Sequence, residues 1–253
     1  MLASGNKALL KYSVGGREEK VIAVSDIENA ENDYMFTCST APAELSDVIN
    51  VKFVCGDYES EVYSGSVANN AKTTLGSSSD EKTMHLVKSM INFGAQAQFF
   101  FDHNADNPAN SFLDENDREL TVISAMDLIP YRYTTLDNDK NIDFVGQSIT
   151  LRDKVSIKFY FCGDITADIC TVNNAKISAD DIGTDENGTY VAVHGITPDD
   201  YDKAFTINVG GVTVKNASVF SYLYTALKNE RTDLYGLVYS MYEYNKAVEA
   251  FAA

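Results

Sequence analysis

The chain has 253 residues, with 37 acidic against 20 basic side chains and a formal charge of −17 at pH 7. That balance argues against nucleic acid, whose phosphates call for a basic stripe. Hydrophobic residues at 45% exclude a disordered chain, and no apolar run approaches the length of a membrane span.

In chain order, MLASGNK reads as the start of a piece cut from a longer protein. Strands are predicted over 8–14, where Leu10, Tyr12 and Val14 alternate, then over 20–24, 34–39, 48–55 and 61–63. Gly15-Gly16 and Gly56-Asp57 mark turns between them. Helices follow over 66–75 and 80–101, separated by Gly76-Ser77-Ser78-Ser79, with Asp80 as N-cap of the second. Asp102 to Asp117 is polar and reads as a linker. Further strands are predicted over 120–124, 147–151, 155–162, 189–193, 204–209 and 212–215, before a second pair of helices.

The second helix pair echoes the first. LVKSMINFGAQAQFFF, starting at Leu86, answers LVYSMYEYNKAVEAF, starting at Leu237, and aligning Met90 with Met241 gives a shift of 241 − 90 = 151. Leu86, Met90, Phe93 and Ala97 then fall on Leu237, Met241, Tyr244 and Val248, the apolar stripe of an amphipathic helix. Upstream, SVANNAKTTL answers SVFSYLYTAL. Tyr34 and Pro42 answer Tyr190 and Pro198, both shifted by 198 − 42 = 156. Glu119 to Leu151 has no counterpart in the first unit. The expectation is an α+β fold of two pseudo-repeated lobes, residues 1–115 and 116–253. Each lobe is a β-sandwich or half-sandwich followed by a two-helix hairpin.

The stretch LVKSMINFGAQAQFFFDHNADNPAN resembles a repeat module of large surface and dockerin-bearing proteins of gut Firmicutes. PAELSDVINVKF and TPDDYDKAFTINV resemble the strand preceding it there, so the likeness covers most of both units. Some of those proteins belong to starch-adherence systems, the amylosomes, where β-sandwich and helical elements together hold α-1,4-glucan. The resemblance implies a non-catalytic starch-binding module of a secreted or cell-surface protein, taking starch or maltooligosaccharides, beside other domains of a surface complex. It supplies no binding residue. The alternative is a structural or protein-interaction module with no glycan ligand.

No enzyme constellation stands out. His85, His103 and His194 sit in unrelated contexts, and there is no nucleophile elbow, metal-ligand pair or phosphate loop. Carboxylates are so numerous that glycosidase spacing would occur by chance. Asp102, Asn104 and Asp106 fit the start of a calcium loop but lack its later Gly and Glu, and Asp137, Asp139, Asn141 and Asp143 fall at alternate positions. Turn chemistry accounts for both, so neither metal nor cofactor is expected. Cys38, Cys55, Cys162 and Cys170 form no CxxC, and Cys162 and Cys170 flank a possible hairpin that a disulfide could close.

The aromatic residues carry the sharper signal: 15 Tyr and 13 Phe with no Trp. Sugar rings offer flat C–H faces to aromatic platforms, with polar groups at the rim. Tyr222 and Tyr224 align with Asn70 and Lys72, and Tyr239 with Lys88, which places all three at solvent-facing positions if the copies fold alike. Tyr235, Tyr239 and Tyr242 share a helix face, and Lys246 lies one turn on. Tyr239 and Tyr242 are the expected stacking pair, near the interface of the lobes, with Tyr222, Tyr235 and Lys246 close by. Tyr131 and Tyr133 in IPYRYTT, and Phe99 and Phe101, which replace Ala250 and Ala252, are further candidates. Packing against the neighbouring lobe is the competing role for all of them.

Overall fold

The computed structural model describes residues 8–23, 38–137, 141–152 and 154–253 in full and the backbone of 28–30 and 33–35. It divides into two compact units, Met1–Arg118 and Glu119–Ala253. Both mix antiparallel sheet with helix, so the protein is α+β. Among the described residues no helix is long and apolar enough to cross a membrane.

In the first unit β1 (Ala8–Val14) lies between β2 (Lys20–Ala23) and β5 (Ile49–Cys55), all antiparallel. The β1–β5 ladder runs without a break from Ala8↔Cys55 to Val14↔Ile49. The β1–β2 turn uses Gly15 and Gly16 at φ 59 and 73, a region where side chains strain the backbone. A separate ribbon pairs β3 (Glu28–Ala30) with β4 (Asp33–Met35); the rest of the strand expected over 34–39 includes positions outside the described residues. β6 (Tyr58–Glu59) and β7 (Tyr63–Gly65) both pair with β5, in place of one strand over 61–63.

Helix α1 (Val67–Ser77) starts where Ser66 Oγ accepts from the Asn69 amide, and α2 (Glu81–Phe101) where Asp80 accepts from the Thr83 amide. These caps satisfy amides that have no partner within the helix. The core of this unit gathers Leu45, Ala68, Ala71, Ile91, Ala109 and Leu113. Ala109 and Leu113 belong to the stretch expected to be a linker. That expectation is corrected: 102–118, ending in α3 (Glu115–Arg118), folds back on α2 and closes the core.

What holds it there is polar. Gln98, wholly buried, gives Nε2 to Ser46 Oγ at 2.7 Å and to the carbonyls of Asn104 and Asn107 at 3.3 Å, and accepts from the Ala109 amide at 2.7 Å. Asn92 accepts from Asn110 and donates to the Asp117 carbonyl, both at 2.8 Å. A low-polarity composition would read such a segment as core; here the side-chain amides replace water for a loop backbone.

The 3-10 turn Pro42–Glu44 packs across α2 at Gly94, where an added Cβ would stand 2.6 Å from Leu45 Cδ1 and 3.2 Å from the Pro42 carbonyl oxygen. Gly94→Val should therefore lower the unfolding free energy by about 1–3 kcal/mol, the usual cost of overpacking. A small gain in helix propensity offsets only part of it. Urea unfolding with the parent midpoint would mean that turn and helix are not in this contact.

In the second unit one sheet orders β13 (Ile182–Asp185), β14 (Gly188–Ile196), β10 (Val155–Cys162) and β9 (Asp143–Leu151). The other orders β12 (Ala175–Lys176), β11 (Cys170–Val172), β15 (Phe205–Val209), β16 (Val212–Ala217) and β8 (Thr134–Asp137). Each buries one face: Ile157, Phe159 and Val191 in the first, Ile207, Val209, Val212 and Val214 in the second. This is compatible with a β-sandwich. The strand expected over 120–124 is irregular, and β11, β12 and β13 have no counterpart among the expected strands. Cys162 and Cys170 lie on strands of different sheets and are free thiols; burial pushes the Cys170 thiol up to about 11.

α4 (Val219–Lys228) begins at Ser218, whose Oγ accepts from the Ser221 amide, and α5 is Tyr235–Ala252. The turn Pro198–Asp200 packs on α5, where buried Asn245 donates Nδ2 to the Pro198 carbonyl at 2.7 Å.

Candidate functional site

The predicted aromatic residues of the second unit fall into separate groups. At the start of α5 the rings of Tyr235 and Tyr239, one helical turn apart, lie 5.7 Å apart at 34°, both half-buried. Burial, and then the neighbouring Tyr235, push the Tyr239 phenol above its ordinary value. Just before them Arg231 clamps Asp233 through Nε at 2.9 Å and Nη2 at 2.7 Å. Tyr222, half-buried on α4, feels both charges; burial raises its phenol, with Arg231 pulling the other way.

Tyr242 belongs elsewhere. Its ring stands 5.5 Å from Phe220, which is wholly buried, and Tyr131 meets Phe220 edge-on at 4.9 Å and 84°. Lys246 sits over Phe220 and Tyr242 at 5.5 and 5.8 Å and donates to Glu249 at 2.8 Å. Burial works against its ammonium, but Glu249 and the two tyrosines outweigh it and the net shift is upward. Lys246 is thus engaged, not a free hydroxyl partner for a ligand. Tyr133 stacks edge-on against Phe144, 5.5 Å away, next to Phe161. IPYRYTT is a 3-10 turn (Ile129–Tyr131) leading into β8.

Tyr239 and Tyr242 do not form one platform, since Tyr239 pairs with Tyr235 and Tyr242 with Phe220. Tyr224 is buried, at 8% exposure, not solvent-facing like its counterpart Lys72. The reason is local: α4 packs on β9, β16 and α5, so both flanks of the helix are covered. In the first unit Phe99 and Phe101 are exposed at 51% and 48%, with Phe100 edge-on to Phe101.

No family model, curated protein or solved structure matches the chain.

Among the described residues no three His, Cys, Asp or Glu converge as a metal site. At the first suspected calcium loop Asn104 donates to Asp47 at 3.2 Å and His103 Nε2 lies 2.9 Å from the same carboxylate, so these groups close the loop on 46–47. Part of the second, 138–140, lies outside the described residues. Ser156 Oγ is 3.0 Å from His194 Nδ1, and Asp181 is 3.8 Å from His194 Nε2. That order suggests a nucleophile, base and acid, but the imidazole is 58% exposed and the carboxylate is beyond hydrogen-bond reach.

Sequence reasoning missed Phe220 as the centre of the aromatic cluster and the Arg231–Asp233 clamp. Alternation marks neither, although an Arg and an Asp two residues apart beside a helix start were legible as a polar rim.

Proposed function

We propose that the second unit is a non-catalytic carbohydrate-binding module, with an α-1,4-glucan as ligand and Tyr235 and Tyr239 as its platform. The observation carrying this reading is the ring pair itself. Two neutral aromatic faces, 5.7 Å apart and tilted by 34°, remain half-exposed at a helix start. Rings so placed offer C–H stacking to successive sugars along a curved chain. Arg231 and Asp233 supply donors and acceptors for hydroxyls, and Tyr222 lies within reach of their charges. Tyr131, Tyr242 and Lys246 serve as the packed base of the helix pair, and Tyr133 as part of the sheet's aromatic packing. The module belongs to a secreted or cell-surface protein.

We also propose that the two units are copies of one plan, a sheet followed by a capped helix pair. In each, a serine caps the first helix, at Ser66 and Ser218. In each, the amide two residues on reaches back to the turn, Ala68 to the Leu45 carbonyl at 2.8 Å and Phe220 to the Tyr201 carbonyl at 2.9 Å. In each, a proline-led turn packs on the second helix at aligned positions, Gly94 and Asn245.

A second reading, a structural or interaction module, is favoured by the first unit. There the polar residues of the recognisable helix motif, Asn92, Gln98 and Asn110, are spent on holding a loop.

Retention on insoluble starch, beside cellulose and xylan, separates the readings. Retention on starch supports the first, no retention on any glycan supports the second, and release of reducing sugar would replace both with an enzyme. For the residues, Tyr235→Ala with Tyr239→Ala should weaken binding of maltooligosaccharides by calorimetry roughly ten- to a hundred-fold, about 1–3 kcal/mol for a binding hot spot. Binding unchanged in a double variant that melts normally would remove this platform.

A further inference from the structure

The sheet β13-β14-β10-β9 has two unlike faces. Gln147 on β9 hydrogen-bonds Ser221 of α4, so the helices cover the face that carries Gln147 and Phe159. Thr150, opposite Ser156 in register, and Lys158, opposite Ser148, therefore stand on the other face. That face holds a depression of about 380 Å³ in which Arg152, Lys154, Lys158 and His194 converge with Ser156 and Tyr190. Three cationic side chains so gathered are out of keeping with a chain of charge −17.

Among the described residues, carboxylates oppose some of them. Lys158 donates to Asp185 at 2.7 Å, and Tyr160 donates to the same carboxylate at 3.0 Å. Asp181 is 3.8 Å from His194. Arg152 and Lys154 have no ion pair among the described residues. Tyr190 is a fixed wall: Lys158 lies 4.1 Å over its ring, Tyr160 stands 5.7 Å away, and any Cβ at Gly183 would run into it.

We infer that this depression binds a saccharide bearing one oxyanion, a sugar acid or a sugar phosphate. Its volume is in the range of small-ligand sites. A depression lined by cations concentrates anions, and the planar guanidinium of Arg152 presents paired donors to a carboxylate or phosphate. The hydroxyls of Ser156 and Thr150 suit the sugar, with Tyr190 as a side wall. The glucan platform on α5 contributes nothing to it, so the two readings fail separately.

The test is calorimetry of the whole chain with galacturonate, glucose 6-phosphate, galactose and inorganic phosphate, at low and high salt. The sugar acid or the sugar phosphate should bind more tightly than galactose or inorganic phosphate, and whichever is tighter names the source. Arg152→Ala with Lys154→Ala should weaken that binding by about tenfold or more, the loss of one strong charge-assisted contact. Tyr239→Ala should leave it unchanged. Equal binding of inorganic phosphate would reduce the site to non-specific charge and overturn the saccharide. Absence of binding by either sugar anion, or parent affinity in the double variant, would overturn the site itself.

Discussion

Phe220→Ala should lower the unfolding free energy by about 3–5 kcal/mol, the range for emptying a buried aromatic site. Phe220 has no exposed surface, and Tyr131, Tyr242 and Lys246 all rest on its ring, at 4.9, 5.5 and 5.5 Å. Aromatic pairs contribute about 0.5–1.5 kcal/mol beyond the area they bury, so the loss belongs to the cluster more than to one side chain. Urea or thermal unfolding reads it directly; a loss below about 1 kcal/mol would mean the cluster is not packed as described. Phe220→Leu keeps most of the volume and separates two views of Tyr242. If Tyr242 is packing, glucan binding survives Phe220→Leu. If Tyr242 stacks on the ligand, binding falls along with the support of its ring.

The same residue marks the limit of what the sequence disclosed. Long elements were legible, because their signals repeat: β1 spans Ala8–Val14 as its alternation predicts, and Asp80 caps α2 as an Asp before an apolar run should. The strands without a sequence signal, β3, β6, β11, β12 and β13, have two to four residues each, too few for alternation to rise above the surrounding turns. Exposure proved harder to infer. Equating Tyr224 with Lys72 assumed that aligned helices keep the same neighbours, but α4 is enclosed by two strands and a helix while Lys72 is open to solvent. The stripe on α2 was likewise only half correct. Phe93 and Ala97 are buried, Leu86 and Met90 are half-exposed, and Ile91, outside the stripe, is wholly buried. How the candidate aromatics group depends on side-chain directions that spacing alone does not give.

The segment after α2 gives the other large effect, and it turns on an amide. Gln98→Leu should cost the first unit about 3 kcal/mol, because the leucine fits the volume but leaves polar groups without partners. The Ala109 amide, which donates to Gln98 Oε1 at 2.7 Å in a buried bond, would have no acceptor. The carbonyls of Asn104 and Asn107 and the hydroxyl of Ser46 would lose their shared donor. With that anchor gone, Ala109 and Leu113 have less to hold them against Ile91, so the core opens along the loop. Gln98→Glu should fare worse at neutral pH than Gln98→Leu, since a buried carboxylate would face two carbonyl oxygens and repel both. Acid should narrow the gap, as protonation restores one donor. Amide hydrogen exchange at Ala109 is the local readout: it should accelerate in both variants well beyond exchange in the sheet of the second unit. An Ala109 amide that stays protected in Gln98→Leu, in a chain with the parent's unfolding midpoint, would show that the apolar contacts alone seat this segment and that the glutamine is dispensable.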